Sequence, residues 1–459
     1  MSHPCHKPAA ATALAVVLAT TSKMCAAAGF AIIEQSASGM GNAFAGAGAV
    51  AEDASTIFFN PAGMTKLKGR HQIVGALHAI APNASFSDSG SLSRDFGPPT
   101  GSVPLFGSDG LNGGTTGIVP NLYYAGRIGD SLSIGLGINA PFGLKTEYPE
   151  KWKGRYHAVT SDLRTIDINP AIAWQVNDML SVGAGVSARY TDVELSNALD
   201  MGTVCFGLEA TGSLPAGTCT AAGAMPMASD GFQVLTGDDW GFGFNLGVLI
   251  EPRPGSRIGL AYRSNVKHTL KGDVDFTVPA NLQPVLGGVF ADSGASADLD
   301  LPETLSVSGY HEVNDKLALL ADVTWTRWSR FDELRVRFDG GLADSAQPAD
   351  WKNVFRYSLG LNYRAHPEWM FRGGLAYDEE PIRNAELRTP RIPGNDRKWV
   401  SLGLSHTPND RLRLDLGYSH LFVDRTPIDN TEGTTGHTLT GTYRNSVDIF
   451  SAQVVWTIQ

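Results

Sequence analysis

Of the residues that could do chemistry, the histidines and serines point away from catalysis. The chain carries 11 His and 4 Cys, with no Cys-x-x-Cys and no His-Glu-x-x-His spacing, so no metal site is expected. Gly39-Met40-Gly41 and Gly46-Ala47-Gly48 lack the preceding strand and the following Lys or Ser of a phosphate loop, and no cofactor is expected. Ser405-His406 and Ser419-His420 set a hydroxyl beside an imidazole. Neighbours on a strand point to opposite faces, however, so neither pair makes a nucleophile–base contact by itself. What remains are lone cations inside apolar-alternating runs. Counted from the turns that bound those runs, Arg189, Lys267 and Arg356 fall at similar height on one face. Each suits a carboxylate, supplied either by a ligand or by a neighbour such as Asp322 or Asp415.

The elements that hold these residues are announced by a recurring turn. Gly129-Asp130-Ser131-Leu132, Asn177-Asp178-Met179-Leu180, Pro252-Arg253-Pro254-Gly255, Asn314-Asp315-Lys316-Leu317, His366-Pro367-Glu368-Trp369 and Asn409-Asp410-Arg411-Leu412 are each followed by a run with every second residue apolar. Long polar connections alternate with these short ones, as at the two rims of a membrane barrel. Six short turns join twelve strands, and one strand at each end makes fourteen. The expected fold is therefore all-β: a transmembrane antiparallel barrel of fourteen strands. Leu132, Ile134, Leu136 and Ile138 show the alternation, as do Trp240, Phe242, Phe244 and Leu246, and Leu412, Leu414 and Leu416. Trp174, Trp240, Trp325, Trp369, Trp399 and Trp456 near the run ends are expected at the membrane interface.

Composition agrees. No linker divides the 459 residues, 42% are apolar, and the formal charge of −10 argues against nucleic-acid binding. His3, His6 and Lys7 precede an apolar stretch from Ala9 to Thr20, and Cys25-Ala26-Ala27 offers a cleavage site, so residues 1–27 read as a signal peptide. The exported chain keeps Cys205 and Cys219, an even pair in one long loop, and a disulfide between them is expected.

Residues 28–68 do not behave as a strand. Small residues crowd Ser38 to Gly48, and the stretch ends on Asn60-Pro61-Ala62. It is too polar and broken to face lipid, and its natural place is inside the lumen as a plugging hatch, leaving 69–459 for the barrel.

Ala28-Gly29-Phe30, Ser38-Gly39-Met40-Gly41, Ala51-Glu52-Asp53-Ala54 and above all Asn60-Pro61-Ala62 resemble the N-terminal hatch of the bacterial long-chain fatty-acid transporter family, the FadL and TodX-like proteins. The likeness continues through Trp240-Gly241-Phe242-Gly243-Phe244-Asn245, Tyr262-Arg263-Ser264, Leu301-Pro302-Glu303, Ser308-Gly309-Tyr310 and Trp328-Ser329. It implies a fourteen-stranded barrel in the outer membrane of a Gram-negative bacterium, a hatch, and uptake of hydrophobic molecules. Fatty acids and aromatic hydrocarbons both fall within what the resemblance implies. A plugged porin for polar solutes and a barrel lipase are the competing classes. Expected partners are the hydrophobic compound, outer-membrane lipid and lipopolysaccharide, and the barrel-assembly machinery, with the barrel acting as a monomer.

Two further segments bear on a route. Leu282, Leu286 and Phe290 follow helical spacing in the loop from Pro279 and are expected to present an apolar face, either to ligand or to a neighbouring loop. The third strand alternates cleanly to Asn139 and then meets Pro141-Phe142-Gly143. Pro donates nothing to a ladder and Gly weakens it, so the strand is interrupted there. In the resembled family a kink at this strand opens a lateral window.

Overall fold

The structure is a computed structural model that describes residues 29–93 and 102–459; the expected signal peptide lies outside the described residues. Fourteen antiparallel strands close into a barrel. In chain order they are β1 (His71–Asp88), β2 (Gly117–Ile128), β3 (Leu132–Asn139, then Gly143–Glu147), β4 (Thr160–Gln175), β5 (Leu180–Asp200), β6 (Asp230–Arg253) and β7 (Ser256–Arg263, then Val266–Thr277). They continue with β8 (Ser293–Leu301, then Thr304–Glu312), β9 (Leu317–Thr326, then Glu333–Phe338), β10 (Ser345–Pro348, then Val354–His366), β11 (Trp369–Asp378), β12 (Arg397–Asn409), β13 (Leu412–Val423, then Thr426–Thr431) and β14 (Thr438–Ile458). Neighbours in sequence pair throughout, and β1 closes on β14 from His71 against Ile458 to Asp88 against Gly441. Closure of β1 on β14 pairs the first and last strands, so the sheet has no free end strand for lipid to face. All of the short turns read from the sequence fall between paired strands on one rim.

The outward parity carries the expected apolar residues: Val186, Phe242, Leu359, Leu402, Leu416 and Phe450 are exposed, at 61, 75, 68, 62, 57 and 58%. The inward parity mixes polar residues such as Asn121, Asp167 and Ser401 with buried apolar ones such as Val74, Ile80 and Leu421. Trp399 departs from the interface expectation: it is 1% exposed and faces the lumen, because Val400 and Leu402 take the outer parity of β12.

Residues 29–68 cross the interior in four short helical pieces, α1 (Ala37–Met40), α2 (Ala47–Val50), α3 (Thr56–Phe59) and a 3-10 turn (Pro61–Lys66). Ser36 caps α1 by accepting from the Gly39 N–H, and Asn60 caps the 3-10 turn by accepting from the Ala62 N–H. Wall arginines bind the carbonyls that such short helices leave without partners: Arg257 donates to Val50 at 2.6 Å, Arg263 to Phe58 at 2.9 Å and Arg127 to Leu67 at 3.0 Å. Backbone also meets backbone here. A Cβ added at wall Gly259 would collide with the Gly48 carbonyl, which is why that strand position needs glycine.

Candidate functional site

The interruption of β3 organises the interior. Between Asn139 and Gly143 three residues of β3 stand against two of β4, since Asn139 pairs with Asp167 and Gly143 with Arg164. Thr165 bridges the irregularity, its Oγ1 donating to the Phe142 carbonyl at 2.7 Å and accepting from the Phe142 N–H at 3.0 Å. On the other side, β2 pairs with β3 only from Leu122 against Ile138 to Ile128 against Leu132. Residues 117–121 of β2 therefore have no ladder partner in β3, up to the bridge between Gly114 and Thr146.

The first described residues fill that gap from inside. The Ile32 N–H donates to the Pro141 carbonyl at 2.8 Å and the Gly143 N–H to the Phe30 carbonyl at 2.9 Å, a short piece of antiparallel ladder. The Gln35 side chain donates to the Ala140 carbonyl at 3.0 Å. From the β2 side, Asn121 donates to the Glu34 carbonyl at 3.0 Å and the Tyr123 hydroxyl to the Gln35 carbonyl at 3.1 Å. Both banks of the gap are thus stitched to residues 30–35.

Phe30 also separates two cavities. It sits in an aromatic cluster with Trp328, Phe331, Trp351 and Phe142, at ring-centroid distances of 4.9, 5.7, 5.8 and 6.0 Å. The outer cavity, about 600 Å³, is lined by apolar residues such as Leu144, Leu163, Leu195, Phe276 and Phe338 together with Phe30, Phe331 and Trp351. The inner one, about 140 Å³, is bounded by Ala31, Ile32, Phe58, Phe59, Trp328 and Arg356, and also by Pro61, Pro141 and Phe142. Gly29 holds the entry to the cluster at φ +63°, where a Cβ would lie 2.7 Å from both Trp328 and Trp351.

The structure thus gathers Pro61, Pro141, Phe142 and Arg356 about one cavity. Asn60 stands just behind, its amide donating to the Gly48 carbonyl at 2.7 Å and the Val248 carbonyl at 3.0 Å. Ala62 packs against Leu249 on the wall side. Arg356 donates to the Ala43 carbonyl at 2.9 Å and stacks on Trp399 at 5.0 Å, while its Nε and Nη1 make no hydrogen bond. Arg189 is fully buried but paired, 3.2 Å from Asp167, which Arg263 shares at 3.5 Å. Its counter-ion is Asp167, not Asp322 or Asp415.

Lys267 does not face the lumen. Arg263 pairs with Asn245 of β6 but Lys271 with Asp238, so one extra residue lies between them, at Ser264-Asn265. Such a bulge flips the parity of everything beyond it. Val266 and His268 turn inward, at 1 and 3% exposed, and Lys267 turns outward. Leu282 and Leu286 are wholly buried against Leu199, Met201 and the Cys205–Cys219 disulfide, whose sulfurs are 1.99 Å apart. They pack on a neighbouring loop, and only Phe290 reaches the outer cavity. The partition role of Phe30 was not legible in the sequence: the residue belongs to the stretch that carries the family resemblance, but the positive φ of Gly29 and the rings packed on Phe30 are set by the tertiary structure.

A closed fourteen-stranded barrel with an apolar outer band, an occupied lumen and apolar interior cavities defines an outer-membrane transport barrel. The family model for outer membrane protein transport proteins (OMPP1/FadL/TodX) matches residues 17–457, and the chain belongs to that family, one of transporters and not of enzymes. It is 31% identical over 413 residues to a long-chain fatty acid transport protein of Escherichia coli, covering 87% of this chain and 88% of that one. It superposes on a Pseudomonas aeruginosa FadL homologue with a TM-score of 0.84 at 26% identity, over 94% of this chain and 100% of that one. The toluene transporter TbuX of Ralstonia pickettii shares the fold, with a TM-score of 0.63 at 20% identity over 93% of this chain and 100% of that one.

Proposed function

We propose that this barrel carries long-chain fatty acids or related hydrophobic compounds inward through the outer membrane. The compound enters the outer cavity, passes the Phe30 cluster into the inner cavity, and leaves sideways into the bilayer between β2 and β3. The observation that carries the reading is that residues 30–32 do two things at once. They separate the cavities and they occupy the wall gap, through the Ile32–Pro141 and Gly143–Phe30 hydrogen bonds. A ligand that displaces them opens the inner cavity and the gap together, which is differential binding acting on a small two-state segment. Residues 28–68 act as the hatch, with Asn60-Pro61-Ala62 fixing its far end to the wall.

Arg356 favours an acid as cargo, because it lines the inner cavity beside Asp378 and two of its buried nitrogens have no hydrogen-bond partner. A second reading, uptake of aromatic hydrocarbons, is favoured by the size of that cavity: about 140 Å³ is the scale at which a dry apolar cavity accepts one benzene ring. Outer-membrane lipid and lipopolysaccharide surround the apolar band, the assembly machinery receives the barrel, and it works as a monomer.

The test is uptake of labelled oleate and toluene by cells making equal amounts of native chain and of Pro141→Val with Gly143→Val. Restored strand chemistry is expected to retain binding and block release. Normal uptake by this variant would overturn lateral exit. Ion conductance without hydrophobe binding would favour a plugged porin, and ester hydrolysis a lipase.

A further inference from the structure

The connection between β11 and β12, residues 379–396, turns inward and lays Arg391 on the wall of the outer cavity. Its guanidinium meets neutral acceptors: Nη1 donates to the Thr160 carbonyl at 3.0 Å, the Ser161 hydroxyl at 2.9 Å and the Ser196 carbonyl at 3.5 Å, and Nη2 to Asn197 Oδ1 at 3.3 Å. Among the described residues no carboxylate lies within ion-pair distance of it, whereas Arg155, Arg189 and Arg413 each have one. Two carboxylates line the same cavity, and both are committed elsewhere: Asp344 lies 3.5 Å from Arg335, and Glu432 accepts from the backbone N–H groups of Thr434 at 2.6 Å, Thr435 at 2.8 Å and His437 at 3.1 Å. A guanidinium has five N–H donors in a fixed fork, so Nε and one Nη2 hydrogen of Arg391 stay uncommitted. Burial pushes its pKa down to about 10, which leaves it charged at neutral pH. A half-buried charge with no counter-ion, on the edge of an apolar cavity of about 600 Å³, is costly unless an anion completes it.

We propose that Arg391 is the residue that holds the head group in the outer cavity: an amphiphile lies with its hydrocarbon chain on the Leu/Phe wall and its carboxylate on Arg391, and the cavity selects acids over neutral molecules of equal length. The inference rests on the transport reading above and narrows it to an anionic cargo at the first station, before Arg356.

The test measures binding of oleate and of oleyl alcohol to the full chain in lipid nanodiscs, for the native protein, Arg391→Met and Arg391→Lys, each also in an Arg356→Met background that removes the inner cation. Arg391→Met is expected to weaken oleate at least tenfold and leave oleyl alcohol unchanged, with Arg391→Lys restoring most of the loss. Equal loss of both probes, or no loss of oleate, would overturn the proposal. Arg391→Gln covers the case in which Arg391→Met does not fold: it keeps a polar donor for the same acceptors, removes the charge, and is expected to weaken oleate at least fivefold with oleyl alcohol unchanged, so native-like oleate binding there counts against the proposal. So does a native chain that binds both probes equally. A native chain that binds neither probe would instead sink the transport reading itself.

Discussion

The Ile32 N–H donates to the carbonyl of Pro141 across 2.8 Å, joining the start of the lumen segment to the interruption of β3. Pro141 has no N–H to give a ladder, but its carbonyl is still an acceptor, and a free segment inside the barrel supplies the donor. A break in the wall and the segment that fills it are therefore one structural unit.

Ile32→Pro removes that donor while keeping an apolar residue. Loss of a single backbone hydrogen bond costs about 1 kcal/mol, roughly a fivefold shift in a local equilibrium. Transfer of bound oleate from purified protein to acceptor liposomes should quicken by about that factor, with the barrel's heat-modified gel mobility unchanged. Unchanged transfer would mean that residues 30–32 do not guard the gap.

Gly29→Val strikes the partition. The position is held at φ +63°, and the new side chain would run into Trp328 and Trp351. Strain at a left-handed β-branched residue together with overpacking is expected to displace Phe30. Fluorescence of the buried tryptophans should shift toward that of exposed ones, and single-channel recordings should show openings that the native chain lacks. Phe30→Ala should share the second effect without the strain.

Far from the gap, the lumen segment is held by charge. Arg372 makes a two-pronged contact with Glu52, at 2.8 and 2.9 Å, and Arg413 bonds Asp53 and, at 3.0 Å, Asp415. Removing one partner of a buried ion pair costs about 3–5 kcal/mol, discounted here because Glu52 keeps some exposure. Glu52→Gln should therefore be mild, while Arg372→Met, which removes the two-pronged partner of Glu52 and leaves Glu52 and Asp415 to Arg413 alone, should loosen the segment and sensitise cells to bulky antibiotics. Equal sensitivity of the two variants would argue against the ionic clamp.

The cations separate cleanly by experiment. Lys267→Ala is expected to leave uptake of oleate unchanged, since its side chain is on the outer face. Arg356→Met should lower oleate affinity about tenfold or more, the scale of a charge-assisted hydrogen bond lost from a shielded site. Toluene should be insensitive to both. If Lys267→Ala matters as much as Arg356→Met, the bulge at Ser264-Asn265 is misplaced.

Strand number, turn positions and the lipid-facing parity of most strands were legible in the sequence alone, because hairpin turns and period-two alternation are local: each is set by residues that are neighbours in the chain. The interruption at Pro141 was legible for the same reason, as proline's missing N–H belongs to that residue alone. Tertiary structure decided the rest. Lys267 was read one face wrong because a single inserted residue, visible only against the partner strand, reverses parity beyond Ser264. Arg189 found its counter-ion in Asp167, directly across the β4–β5 ladder, a choice made by register and not by spacing in the chain. Trp399 turned inward to lie beneath Arg356. The pairing of Ile32 with Pro141 and the wall of Arg391's cavity bring together residues more than a hundred positions apart, and only closure of the barrel around its own N-terminal segment puts them in contact.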